Sequence, residues 1–100
     1  MGLYVVPKIL NKTVTTSGTR VALFASETPC HAATIQAYKG NTNDIFVGDV
    51  TVSTSVYGVR LTPGTSYSLS MDSANDSKVD LSTWYLDATT NGEGVSVIYY

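Results

Sequence analysis

The sequence predicts an all-β domain, an antiparallel β-sandwich or jelly-roll-like small barrel, on three observations. Residues that suit a pleated, half-buried surface (Val, Ile, Thr, Tyr, Phe, Trp) fill 40 of the 100 positions, against 25 for Ala, Leu, Glu, Gln, Lys, Met and Arg. Apolar and polar residues alternate with period two in several short runs. Turn residues recur at Ser17-Gly18, Lys39-Gly40-Asn41, Gly48-Asp49, Tyr57-Gly58, Pro63-Gly64, Ser73-Ala74-Asn75-Asp76 and Asn91-Gly92. Short strands punctuated every 8–12 residues or so characterise sandwiches and small barrels.

Taken in order, residues 1–17 lack clean alternation, and Pro7 interrupts the apolar run from Leu3 to Leu10. Proline is confined to sheet edges or to non-strand structure. The segment is therefore either an arm reaching a neighbouring molecule or a first edge strand, ahead of a sandwich domain spanning 18–100. Val21 and Leu23 mark a strand, and Ile35 and Ala37 point inward against Thr34, Gln36 and Tyr38. Ile45-Phe46-Val47 and Val50-Thr51-Val52 are two short strand pieces around a Gly48-Asp49 turn. Pro63-Gly64 suits the centre of a type II turn, because proline fixes φ and glycine tolerates positive φ. Tyr67, Leu69 and Met71 face inward against Ser66, Ser68 and Ser70. Trp84, Leu86 and Ala88 face inward, with Trp84 in the core. A final strand carries Val95, Val97 and Tyr99, paired with the Trp84 strand as a hairpin across Asn91-Gly92.

Composition narrows the function. A net charge of −2 and a pI near 5, with Lys8, Lys12, Arg20, Lys39, Arg60 and Lys78 scattered, argue against a nucleic-acid partner. The start carries no signal-peptide pattern, and no run approaches the roughly 20 apolar residues of a membrane span. A lone Cys30 forms no internal disulfide, so the domain is expected to fold in a reducing compartment.

The residues also set limits on chemistry. Cys30 and His31 are adjacent, and neighbours on an extended chain point to opposite faces, so a thiolate–imidazolium pair is not expected. One Cys and one His are too few for zinc. Asp72, Asn75, Asp76 and Asp80 offer oxygen ligands in one turn-rich stretch, but their order does not match a calcium loop and a solvated turn explains them as well. No catalytic residue, metal site or cofactor is expected. Tyr38, Tyr85 and Tyr100 fall on outward registers, and the partner-binding candidates are Leu3, Tyr4, Val5, Val6, Ile9 and Leu10 in the first segment together with Tyr38 and Tyr85.

Three stretches carry a resemblance: residues 21–30 (VALFASETPC), 33–37 (ATIQA) and 41–48 (NTNDIFVG). It continues through Leu61-Thr62-Pro63-Gly64-Thr65-Ser66 and residues 80–88 (DLSTWYLDA). Over about residues 13–100 the chain resembles small virion-associated proteins of tailed bacteriophages, whose β-sandwich serves as a module in head or tail accessories. The resemblance implies a structural virion protein assembled in the host cytoplasm. It would decorate or cement the capsid through non-covalent contacts with the major capsid protein, as a homo-oligomeric trimer or dimer. A tail, neck or fibre-attachment component, and a carbohydrate-binding module using exposed tyrosines, are the alternatives. On the arm reading, removal of residues 1–12 would leave the sandwich folded and weaken attachment.

Overall fold

Alternation produces the strands here because each sheet has one face against a shared core. In the computed structural model, which describes residues 6–71 and 78–100, the strands are β1 (Lys8–Val14), β2 (Val21–Ala22), β3 (Pro29–Cys30), β4 (Ala32–Ala37) and β5 (Ile45–Gly48). They continue as β6 (Val59–Leu61), β7 (Ser66–Ser70), β8 (Val79–Asp80), β9 (Tyr85–Ala88) and β10 (Glu93–Tyr99). A 3₁₀ turn at Leu81–Thr83 leads into β9, capped by the Asp80 side chain.

Sheet I has the order β1-β10-β4-β7 and sheet II the order β2-β9-β5-β6, with every pairing antiparallel. A two-stranded β3–β8 ribbon stands beside them. The first strand pairs with the last, β2 with β9, β4 with β7 and β5 with β6. Four nested antiparallel pairs rolled into two four-stranded sheets are the jelly-roll arrangement. The fold is therefore an all-β sandwich with jelly-roll strand order. Val14, Ile35, Val95 and Val97 of sheet I meet Ile45, Leu61 and Leu86 of sheet II, with Leu23 and Leu81 from the connections; all are buried.

The Trp84 strand and the last strand do not form the expected hairpin. β9 lies in sheet II between β2 and β5, whereas β10 lies in sheet I between β1 and β4. The Asn91-Gly92 turn, with Gly92 at φ 82°, carries the chain from one sheet to the other. Both strands feed the same core from opposite sides, so their alternation reads the same as that of a hairpin. Residues 50–52 are not a strand either. Asp49 Oδ1 accepts from the Thr51 N–H at 2.8 Å and from its hydroxyl, which turns the chain locally and competes with a ladder.

Further along, Leu69 packs against the core, but Tyr67 and Met71 are exposed, on or just beyond the edge strand β7 of sheet I. The Pro63-Gly64 turn has the expected glycine at φ 82°, closed by Thr65 N–H to Thr62 O at 2.9 Å. The turn at 73–76 lies outside the described residues.

Residues Lys8–Val14 are an edge strand of sheet I. They register against β10 at all seven positions, from Lys8 opposite Tyr99 to Val14 opposite Glu93, and Val14 is fully buried. Gly94 makes this pairing close: a Cβ there would sit 2.1 Å from the Lys12 carbonyl oxygen.

The outer faces of the two sheets differ. Sheet II is covered by its own loops. Val52, 1% exposed, packs on Gly48, the Tyr57 ring lies 5.0 Å from Phe46, and Gly18 N–H bonds Asp87 Oδ1 at 3.0 Å. Sheet I presents Thr34, Gln36, Ser66, Ser68 and Ser70 outward, with Thr34 and Ser68 hydroxyls 2.9 Å apart. At its β1 side that face turns apolar.

Candidate binding surfaces

Ile9 stands directly opposite Ile98 in the β1–β10 register, and both point away from the core at 73% and 47% exposure. Beside them Pro7, Ala32, Thr34, Ser68, Ile98 and Tyr100 line an open groove of about 520 Å³. Tyr100 in its lining is exposed, and so is Val6, the residue before Pro7. Main-chain bonds fix the floor: His31 N–H and Ala32 N–H both reach Tyr100 O, and Tyr100 N–H returns to Ala32 O at 3.0 Å. The chain's last residue is thus tied to the start of β4, so the apolar strip rests on a rigid sheet.

The sequence-selected residues divide. Ile9 is exposed opposite Ile98 of the groove lining and Val6 is exposed ahead of Pro7, whereas Leu3, Tyr4 and Val5 lie outside the described residues. Leu10 is half-buried and packs on the core side of β1, next to Val97 in register, so it is not a surface contact. Alternation along β1 places Leu10 inward and Ile9 outward. Tyr38 is half-buried, its N–H bonded to Gly94 O at 3.0 Å, and Tyr85 is half-buried in β9 opposite Ala22 and Gly48. Neither tyrosine reaches the groove lining. Ile98 and Tyr100 do, and the signal for Ile98 was present: it is the apolar residue on the outward register of a strand that buries Val95 and Val97.

Trp84 is half-buried. It packs against the core and also lines a cleft of about 430 Å³ with Tyr67, Asp49 and Thr83, between the two sheets at the β6–β7 edge. The Tyr67 and Trp84 rings lie 6.4 Å apart, tilted by 33°.

The polar groups are mostly occupied in holding loops. Asp80 Oδ1 accepts from Thr28 N–H and Ser82 N–H at 2.9 Å each and from the Ser82 hydroxyl at 2.8 Å; these bonds, the Thr28 one foremost, hold its carboxyl below the usual range. Of the oxygen ligands considered for calcium, Asp72, Asn75 and Asp76 lie outside the described residues, and Asp80 is committed to this cap. Among the described residues no three His, Cys, Asp or Glu side chains gather closely enough to hold a metal ion. Cys30 is buried, and burial with the nearby Asp80 charge pushes its thiol up, away from the reactive thiolate.

Among the described residues the buried carboxylates are Asp87, bonded to Gly18 N–H, and Glu93. Burial raises the Glu93 pKa, but hydrogen bonds from the Thr42 N–H, the Thr42 hydroxyl at 2.8 Å and Asn43 N–H at 3.0 Å outweigh that and lower it overall. Asn41 completes the corner by pairing with Gly94 through both side-chain atoms, Nδ2 to O at 2.9 Å and Oδ1 from N–H at 3.3 Å. These groups fasten the β4–β5 connection to the start of β10.

No protein-family model, curated protein or solved structure matches the chain. No described helix is long and apolar enough to cross a membrane.

Proposed function

We propose that the chain is a non-catalytic structural protein of a tailed-phage particle, decorating or cementing the capsid by seating the apolar strip of sheet I on the major capsid protein. The observation that carries this reading is the strip itself: Ile9 and Ile98 exposed side by side, with Ile98 and Tyr100 lining a groove on a sheet whose remaining outer face is hydroxyl-rich. Clustered apolar side chains on a rigid surface mark a partner site more often than scattered ones do. Burial of each large side chain on the shell contributes roughly 1.5–3 kcal/mol before the costs of association. Many copies of such a modest interface stabilise the assembled state by mass action. The jelly-roll strand order is a scaffold that virion proteins share with lectin and cupin domains, so it supports the reading without selecting it. Self-association as a dimer or trimer, through surface other than this strip, belongs to the proposal.

Copy number tests it. Quantitative densitometry of purified particles should find the chain at a count comparable to the major capsid protein, and particles lacking it should release DNA at lower temperature. A handful of copies per particle would favour the tail or neck alternative, and unchanged thermal release would contradict cementing.

A further inference from the structure

The aromatic cleft at the β6–β7 edge is independent of the apolar strip, is lined from both sheets, and is not needed for attachment to a shell. Tyr67 comes from β7 of sheet I, and Trp84 from the residue before β9 of sheet II. Trp84 is fixed by its backbone, with its N–H on Leu81 O at 3.2 Å and its carbonyl accepting Leu23 N–H at 2.8 Å. Tyr67 is 39% exposed, so a large aromatic ring stands at the mouth against a preset neighbour. Gly48 and Gly58 line the cleft as well, together with Val47 and Val59. Asp49 and Thr83 supply a carboxylate and a hydroxyl at the rim.

We infer that this cleft binds a neutral oligosaccharide, with sugar rings lying on Tyr67 and Trp84 and their hydroxyls bonded to Asp49 and Thr83. The ligand class follows from the lining. The negative face of an aromatic ring attracts the polarised C–H bonds of a sugar's apolar side, and the two tilted rings can take adjoining units. Asp49 Oδ1 is already occupied by Thr51, which leaves Oδ2 as a charged acceptor for sugar O–H donors among the described residues. The same bonds from Thr51 keep the carboxyl below its usual range and hence ionised, which disfavours phosphates and acidic sugars. A volume of about 430 Å³ falls within the roughly 300–1,000 Å³ of small-ligand sites.

Trp84 is the chain's single tryptophan, so its emission reports directly on this cleft. The full chain is titrated with maltohexaose, cellohexaose, chitohexaose and mannohexaose, with a heparin hexasaccharide and a proline-rich decapeptide as competing ligand classes. At least one neutral hexasaccharide should change the emission saturably. Tyr67→Ala should weaken that binding at least tenfold, and Asp49→Asn, which retains the Oδ1 acceptor for Thr51, should weaken it several-fold with an unchanged circular dichroism spectrum. No saturable change with any neutral hexasaccharide, equal affinity in both variants, or a response to the decapeptide or heparin fragment alone would overturn the assignment.

Discussion

Both outer faces of the sandwich carry apolar side chains, and they treat them oppositely. On sheet II, Phe46, Gly48 and Asp87 are roofed by Tyr57, Val52 and the Gly18 turn, so this face is finished within the chain. On sheet I, Ile9 and Ile98 lie side by side without such a roof among the described residues. A chain that folds two loops over one sheet and leaves isoleucines bare on the other distinguishes surface that stabilises the fold from surface available to a partner. Mutations on the first should act on stability, and mutations on the second on association.

The largest expected effect lies where the bare sheet holds its edge strand. Gly94→Ala places a Cβ against the Lys12 backbone, which cannot swing aside as a flexible side chain could, and should cost about 3 kcal/mol or more by forcing β1 from β10. Thermal melting checks this. A melting temperature within a few degrees of the parent would mean that β1 contributes little, which would restore the arm reading. The register of β1 also reverses the expectation for truncation: loss of residues 1–12 removes most of an integral strand, not a detachable arm.

Next in size is the roof of sheet II. Val52→Ala removes two fully buried methyl groups and should destabilise by about 2 kcal/mol, while Ile98→Ser on the bare face should stay within about 0.5 kcal/mol. Equal losses in chemical denaturation would erase the distinction between the faces.

Glu93→Gln gives a similar or smaller loss, roughly 1–2 kcal/mol, since an amide replaces a carboxylate that accepts three donors. Because the folded-state pKa of Glu93 is depressed, its contribution is full above the unfolded value of about 4.3 and is lost as pH falls through the folded one. Acid melting curves should therefore converge for the variant and the parent at low pH. A gap that persists there would assign the loss to packing instead.

Much of this architecture was legible because alternation reports which residues are buried. Ile35, Ala37, Leu69, Leu86, Val95 and Val97 all lie on the expected side. Alternation is silent on which sheet a strand joins, which is why β9 and β10 read as a hairpin although they face each other across the core. The two-residue strands β2, β3 and β8 are too short to show a period. Val52 reads as strand because it is apolar; its burial comes from a loop folded over Gly48, a tertiary contact without local signature. The candidate surface was half legible. Val6 and Ile9 stood out as apolar residues near Pro7, but Ile98 and Tyr100 join them only through the pairing of the first strand with the last, 89 positions apart for Ile9 and Ile98. The aromatic cleft was hidden because Tyr67 and Trp84 both fall on inward registers; that they meet in a cleft depends on Tyr67 standing on the edge strand β7 and Trp84 just ahead of β9, which alternation does not report.

Attachment through the bare strip of sheet I is the central proposal. Its most direct test is co-sedimentation of the full chain, and of the Ile9→Ser/Ile98→Ser double variant, with particles stripped of the protein. Attachment through the strip should give saturable binding of the parent and at least a tenfold weaker association of the variant, at an unchanged melting temperature. Equal binding of the two proteins would contradict it.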